Sequence, residues 1–143
     1  MSVRFHYKSG EFRIRRALNH KKWLENVIIK EGRKATLVDF VFTSDAEIIA
    51  INREFLKHNY FTDVITFDYG TGGHVAGEIY ISIDTVRRNA VEYGSTAAGE
   101  FRRIMLHGVL HLCGYADSSD DEVRVMRLKE EGYLKMYSDE FHI

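Results

Sequence analysis

The segment His107-Gly108-Val109-Leu110-His111-Leu112-Cys113-Gly114-Tyr115-Ala116-Asp117 holds two imidazoles four positions apart and a carboxylate six residues beyond the second. On a helix, residues four apart share one face with side chains roughly 5–6 Å from each other, so both rings can reach one metal ion. Gly114 can take the positive φ that stops a helix and turns the chain, which returns Asp117 toward the same ion. Two nitrogen donors and one carboxylate suit a single Zn²⁺ with a position left open for water, as in catalytic rather than structural zinc sites. The plainer alternative is a pair of packed or surface histidines. Ile104, Met105 and Leu110 make the rest of this helix apolar, however, and uncoordinated imidazoles there would need other partners. Cys113 leaves the helix at a different angle from His111 and is expected to be a buried thiol rather than a fourth ligand.

The spacing is that of the extended zinc-protease signature, except that Gly108 stands where those enzymes keep their general-base glutamate. This weakens a peptidase reading, and the missing side chain is expected to open room for a closely approaching substrate.

The elements that must position these residues follow from periodicity. Val3, Phe5 and Tyr7 alternate with polar residues as a first strand. Phe12 to Glu31 reads as a helix with Ile14, Leu18, Leu24 and Ile28 at helical spacing, ending near Gly32. Ala35–Thr43 is a β-branched and aromatic strand. Ser44 and Glu47 form a capping box that opens a helix carrying Ile48, Ile51, Phe55 and Leu56. Val64–Phe67 and Gly77–Ile83 are strands three and four. Their glycine-rich link is too short for a helical crossover, so they are expected to be antiparallel neighbours. Asp84 is read as the cap of a helix ending around Gly94, Thr96–Leu112 as the next, and Ser119 with Glu122 as the cap of the last. The order β-α-β-α-β-β-α-α-α predicts an α+β fold: a mixed four-stranded sheet with helices packed on it.

Composition bounds the rest. A chain of 143 residues, 45% hydrophobic and 29% charged, describes one domain spanning residues 1–143. Its size buries roughly 68–70% of the unfolded surface, so no metal is needed as a staple. One cysteine excludes an internal disulfide and fits a reducing compartment; Met1 to Phe12 lacks the apolar run of a signal peptide, and no stretch nears the roughly 18 apolar residues of a membrane span. A cytoplasmic protein without membrane contact is the expectation. The net charge of −1 gives no global attraction to nucleic acid, although it is compatible with a polarised distribution, and bound Zn²⁺ would add local positive charge. Proline is absent, so turns fall to glycine.

The metal segment closely resembles the H-G-x-L-H-L-x-G-Y-D-H motif of the YbeY family of bacterial metal-dependent endoribonucleases, matching at His107, Gly108, Leu110, His111, Leu112, Gly114 and Tyr115. Thr62-Asp63-Val64-Ile65-Thr66-Phe67 is similar to that family's T-[DN]-V-L-S-F strand, Gly77-Glu78-Ile79 to its G-D-I strand, and Glu100 lies two turns ahead of the histidines. Two positions depart: Asp117 replaces the usual third histidine, with Ala116 in the aspartate position, and Leu56 replaces an arginine, for which Lys57 or His58 could substitute. A carboxylate ligand makes the site less electrophilic than three imidazoles would.

The resemblance implies a zinc-dependent endoribonuclease that cleaves single-stranded RNA in ribosomal RNA maturation and ribosome quality control, with the ribosome or its associated proteins as partners. Under it, His107, His111 and Asp117 hold one Zn²⁺, and Asp63 and Glu78 are candidate proton acceptors. Arg103 either engages a phosphate, pairs with Glu100 or has only a surface role. The basic pairs Lys21-Lys22, Arg33-Lys34, Arg87-Arg88 and Arg102-Arg103 would form a phosphate track if they converged beside the metal. Tyr60, Phe61 and Tyr69 could stack bases or pack in the core. The rivals are a metallohydrolase for a peptide or small molecule, and a non-catalytic, ribosome-associated metal-binding protein.

Overall fold

The structure is a computed structural model that describes residues 2–8, 10–56 and 62–142, without the side chain of residue 56. In chain order the elements are β1 (Val3–Tyr7), α1 (Ala17–Lys30), β2 (Lys34–Thr43), α2 (Asp45–Ile51) running into a π-helical turn (Asn52–Leu56), β3 (Val64–Asp68), β4 (His74–Ser82), α3 (Ile83–Glu92), α4 (Ala97–Leu112) and α5 (Asp120–Phe141). The four strands form one mixed sheet in the order β1-β2-β4-β3. Its β1–β2 and β2–β4 pairs are parallel and the β3–β4 hairpin is antiparallel, as the connection lengths predict.

Alternation decides which face of the sheet carries the core. Val38, Phe40 and Phe42 of β2 and Ile79 and Ile81 of β4 are fully buried against the helices, where they meet Trp23, Leu24, Val27 and Ile28 of α1 and Phe101, Ile104, Met105 and Val109 of α4. The central helix α4 therefore lies across the sheet with one side in the core. Met126 and Tyr137 anchor α5 to the same cluster, and the indole N–H of Trp23 donates to the Tyr133 carbonyl at 2.9 Å, tying α1 to α5.

Several local readings are corrected. The first helix begins at Ala17, because the chain turns through residues before it and Arg16 sits in the left-handed region at φ 54°. Leu18 is consequently exposed, and the buried stripe runs through His20, Trp23, Leu24, Val27 and Ile28. Ser82 rather than Asp84 caps α3, its hydroxyl accepting from the Thr85 amide, while Asp84 accepts from the amide of Asp45. At α2 only half a capping box forms: Ser44 accepts from the Glu47 amide, but the Glu47 carboxylate takes the Thr43 hydroxyl instead. The Ser119–Glu122 capping box at α5 is complete. Strand β4 starts three residues earlier than the Gly77 boundary suggested. No helix among the described residues is long and apolar enough to cross a membrane.

Candidate metal centre

His107 and His111 lie one turn apart near the C-terminal end of α4, half-buried, with ring centroids 4.5 Å apart. Beyond them the helix stops as the glycine predicts. Gly114 adopts φ 103°, its amide donates to the His111 carbonyl, and the Tyr115 amide donates to the Leu110 carbonyl, the paired bonds of a Schellman motif. This reversal carries Asp117 back over the helix end. The Nε2 atoms of the histidines are 3.0 Å apart, and Asp117 Oδ2 lies 3.2 Å from one and 3.4 Å from the other. All three sequence-derived ligands thus converge.

The other ring nitrogens explain how this triangle is held. His111 Nδ1–H donates to the Tyr115 carbonyl at 2.9 Å, and His107 Nδ1–H donates to the Glu130 carboxylate at 2.6 Å. Both tautomers are thereby set with the Nε2 lone pairs directed at each other and at a carboxylate oxygen, a collection of acceptors that a cation relieves. Burial is the largest single influence on His107 and works against its charge, but the hydrogen bond and charge of Glu130 and the charge of Asp117 together outweigh it and raise the imidazole's pKa. The spacings are close to the roughly 3.3 Å between ligand atoms around a tetrahedral zinc with bonds of about 2.0–2.1 Å. The donor set and its size therefore fit a single small divalent cation.

Two carboxylates that sequence reasoning missed support the site. Glu130 is buried on α5 and is flanked by Arg103 Nη1 at 3.8 Å. Its signal was available: positions 126, 130, 133 and 137 form the inward stripe of α5, and a carboxylate amid Met and Tyr on such a stripe needs a partner. Glu31, at the end of α1, accepts from the hydroxyls of Tyr115 and Tyr133 and from Lys129 Nζ at 3.2 Å. Burial would raise its pKa, but these donors prevail and lower it. The clamp fixes the Tyr115 backbone on which His111 leans. No local pattern announced it, because its members lie 84 to 102 residues apart along the chain.

Other expectations fare differently. Arg103 pairs with Glu100, both its Nε and Nη2 donating to one carboxylate oxygen, so the ion-pair reading holds. Asp63 precedes β3; burial raises its pKa, and the charges of Arg103 and His107 oppose that rise without cancelling it. Glu78 is not brought there. Its neighbours Gly77 and Ile79 face α4, so Glu78 points from the opposite side of the sheet, where it accepts from the hydroxyls of Tyr69 and Tyr80. That bond also accounts for Tyr69.

Gly108 does not open the site to substrate, because it is buried against the sheet. A Cβ there would come within 2.8 Å of Ile79 Cγ2, so glycine allows the helix to approach β4. Cys113 is a buried thiol with its pKa pushed up to about 11, chiefly by burial. Of the basic pairs, Arg88 is taken up by Asp45 and Arg103 by Glu100, while the Arg33 guanidinium reaches the turn at Gly114. Lys57, His58, Tyr60 and Phe61 lie outside the described residues.

The family profile described as Endoribonuclease YbeY matches residues 5–138. The chain belongs to the YbeY family. Among its relatives, the protein named Endoribonuclease YbeY from Flavobacterium psychrophilum is 39% identical over 135 residues, covering 94% of this chain and 96% of that one. The protein of the same name from Chlorobium phaeovibrioides is 45% identical over 116 residues, covering 81% and 78%. The solution structure of TM1509 from Thermotoga maritima superposes with a TM-score of 0.72 at 30% identity, covering 98% of this chain and 91% of its own.

Proposed function

We propose that this chain is a zinc-dependent endoribonuclease that cleaves single-stranded RNA in the cytoplasm, acting in ribosomal RNA maturation and ribosome quality control with the ribosome or its proteins as partners. Family membership supports the reaction class. The observation that carries the metal assignment is the closed triangle of His107, His111 and Asp117, with both Nδ1 atoms anchored.

When bound there, Zn²⁺ supplies Lewis acidity toward a phosphoryl oxygen and makes water a better nucleophile at neutral pH. The protein supplies the rest. Glu130 and the Tyr115 carbonyl orient the two imidazoles, and Asp117 sits exposed at the open side of the triangle. Its negative charge tempers the electrophilicity of the site relative to three neutral ligands. Asp63 is the proton acceptor of this reading, since desolvation makes its carboxylate more basic than an ordinary one. Arg103 acts as a positioning residue, neutralising the buried carboxylates Glu100 and Glu130 rather than reaching for phosphate.

The test joins metal analysis with RNA cleavage. Protein purified without added metal is expected to carry about one zinc per chain, the stoichiometry of a three-ligand site, and to cleave an unstructured RNA. His111→Ala should lose both while keeping its circular dichroism spectrum. Metal binding without cleavage of any RNA would identify the non-catalytic alternative, and undiminished cleavage by His111→Ala would overturn the assignment.

A further inference from the structure

On the side of α4 away from the metal triangle lies a cavity of about 530 Å³ whose lining contains no carboxylate. At 100° per residue, Ala98, Phe101, Arg102 and Met105 face it, while Glu100, Arg103, His107 and His111 occupy the opposite side of the helix. Five arginines from separate segments line it: Arg13, Arg15 and Arg16 before α1, Arg87 on α3 and Arg102 on α4. None of the five is ion-paired with a carboxylate of the described residues. In a chain with net charge −1 this is a pronounced local concentration of positive charge.

The cavity is also built. Arg102 stacks on the Tyr137 ring at 4.3 Å and donates from Nε to His20 Nε2 at 3.2 Å. Arg87 lies over Phe12 at 5.5 Å and Arg13 over Tyr7 at 4.7 Å. Aromatic rings thus hold three of the five cations in place before any ligand arrives. Ile14, Phe101 and Met105 form a buried, apolar floor beneath that basic rim. The two non-glycine residues in the left-handed region among those described, Arg16 and His142, both line this cavity.

We propose that this cavity binds a nucleoside phosphate, its phosphates taken by the guanidinium rim and its nucleoside set against the apolar floor. The volume falls within the roughly 300–1,000 Å³ of small-ligand sites. Guanidinium groups match phosphate oxygens through paired N–H donors, and an apolar floor favours an organic phosphate over the inorganic ion. The same chemistry is offered by a free nucleotide and by the phosphorylated end of an RNA chain. This assignment does not rest on the reaction at the metal centre, from which α4 separates it.

Calorimetric titration of the full chain, with a chelator present to prevent cleavage, tests it. ADP and GDP are expected to bind, with adenosine and inorganic phosphate each much weaker. Arg15→Glu and Arg87→Glu, both at exposed positions, should each weaken nucleotide binding about tenfold or more, the scale of one lost charge-assisted contact. His111→Ala should bind as the parent does. A 5′-phosphorylated oligoribonucleotide that displaces ADP, where its unphosphorylated counterpart does not, assigns the site to an RNA end; no displacement assigns it to the free nucleotide. Absence of nucleotide binding, inorganic phosphate binding as tightly as ADP, or unaltered binding in both charge-reversed variants overturns the proposal.

Discussion

At the metal centre each histidine spends one nitrogen on the ligand triangle and the other on being held. The two holders differ in strength: His111 leans on a backbone carbonyl, whereas His107 leans on a buried carboxylate. Glu130→Gln keeps the shape and an acceptor oxygen but removes the charge. It should lower zinc affinity about tenfold to a hundredfold, the usual effect of losing an outer partner of a metal ligand. Competition with a chromophoric chelator measures this, and an affinity equal to the parent's would show that the carboxylate only packs. The ligands themselves were legible in the sequence because a helix followed by a glycine turn is local geometry. Glu130 and Glu31 were not, because their roles depend on α1, α4 and α5 meeting in space, and nothing local reports that meeting.

Among the elements, the contact of α4 with β4 sets where the histidines stand. Two glycines permit it. A Cβ on Gly77 would lie 2.4 Å from the Phe67 carbonyl oxygen and 2.9 Å from Leu112, and one on Gly108 would strike Ile79. Gly77→Ala is therefore expected to destabilise the fold by about 2 kcal/mol, within the range for overpacking a close core contact. Urea unfolding reads the change, and an unaltered midpoint would mean that the hairpin shifts at no cost. The strands, the hairpin and the helix order were all readable from periodicity and link lengths. Gly108 was misread as space for a substrate because a sequence does not reveal which side of a helix faces the sheet. The starts of α1 and α3 were misplaced for a related reason: Arg16 and Ser82 act through a backbone turn and a hydroxyl cap, not through an apolar pattern.

Across the whole molecule, a balanced net charge resolves into separate territories: carboxylates buried around the metal helix and unpaired cations gathered behind it. His20 ties the second territory to stability. Its Nδ1–H donates to the Arg16 carbonyl and its Nε2 accepts from Arg102, so the fold requires the neutral ring. Burial, the larger cause, pushes its pKa down from 6.5 to about 4. As pH falls through that window the unfolded chain takes up a proton that the folded chain refuses, so stability declines, by at most about 3 kcal/mol once pH is below 4. His20→Gln can keep both hydrogen bonds without titrating. Its unfolding midpoint should fall less between pH 7 and pH 4.5 than the parent's, and an equal fall would remove His20 from the account.

The chain has one tryptophan, and it sits wholly buried where α1 meets α5, 5.2 Å from the Tyr137 ring. Its hydrogen-bond acceptor, the Tyr133 carbonyl, is three residues from Glu130 on the same helix. The protein thus carries its own optical gauge. A red shift in Trp23 emission marks the moment α5 lifts from α1, and with it the moment His107 loses the carboxylate that aims it.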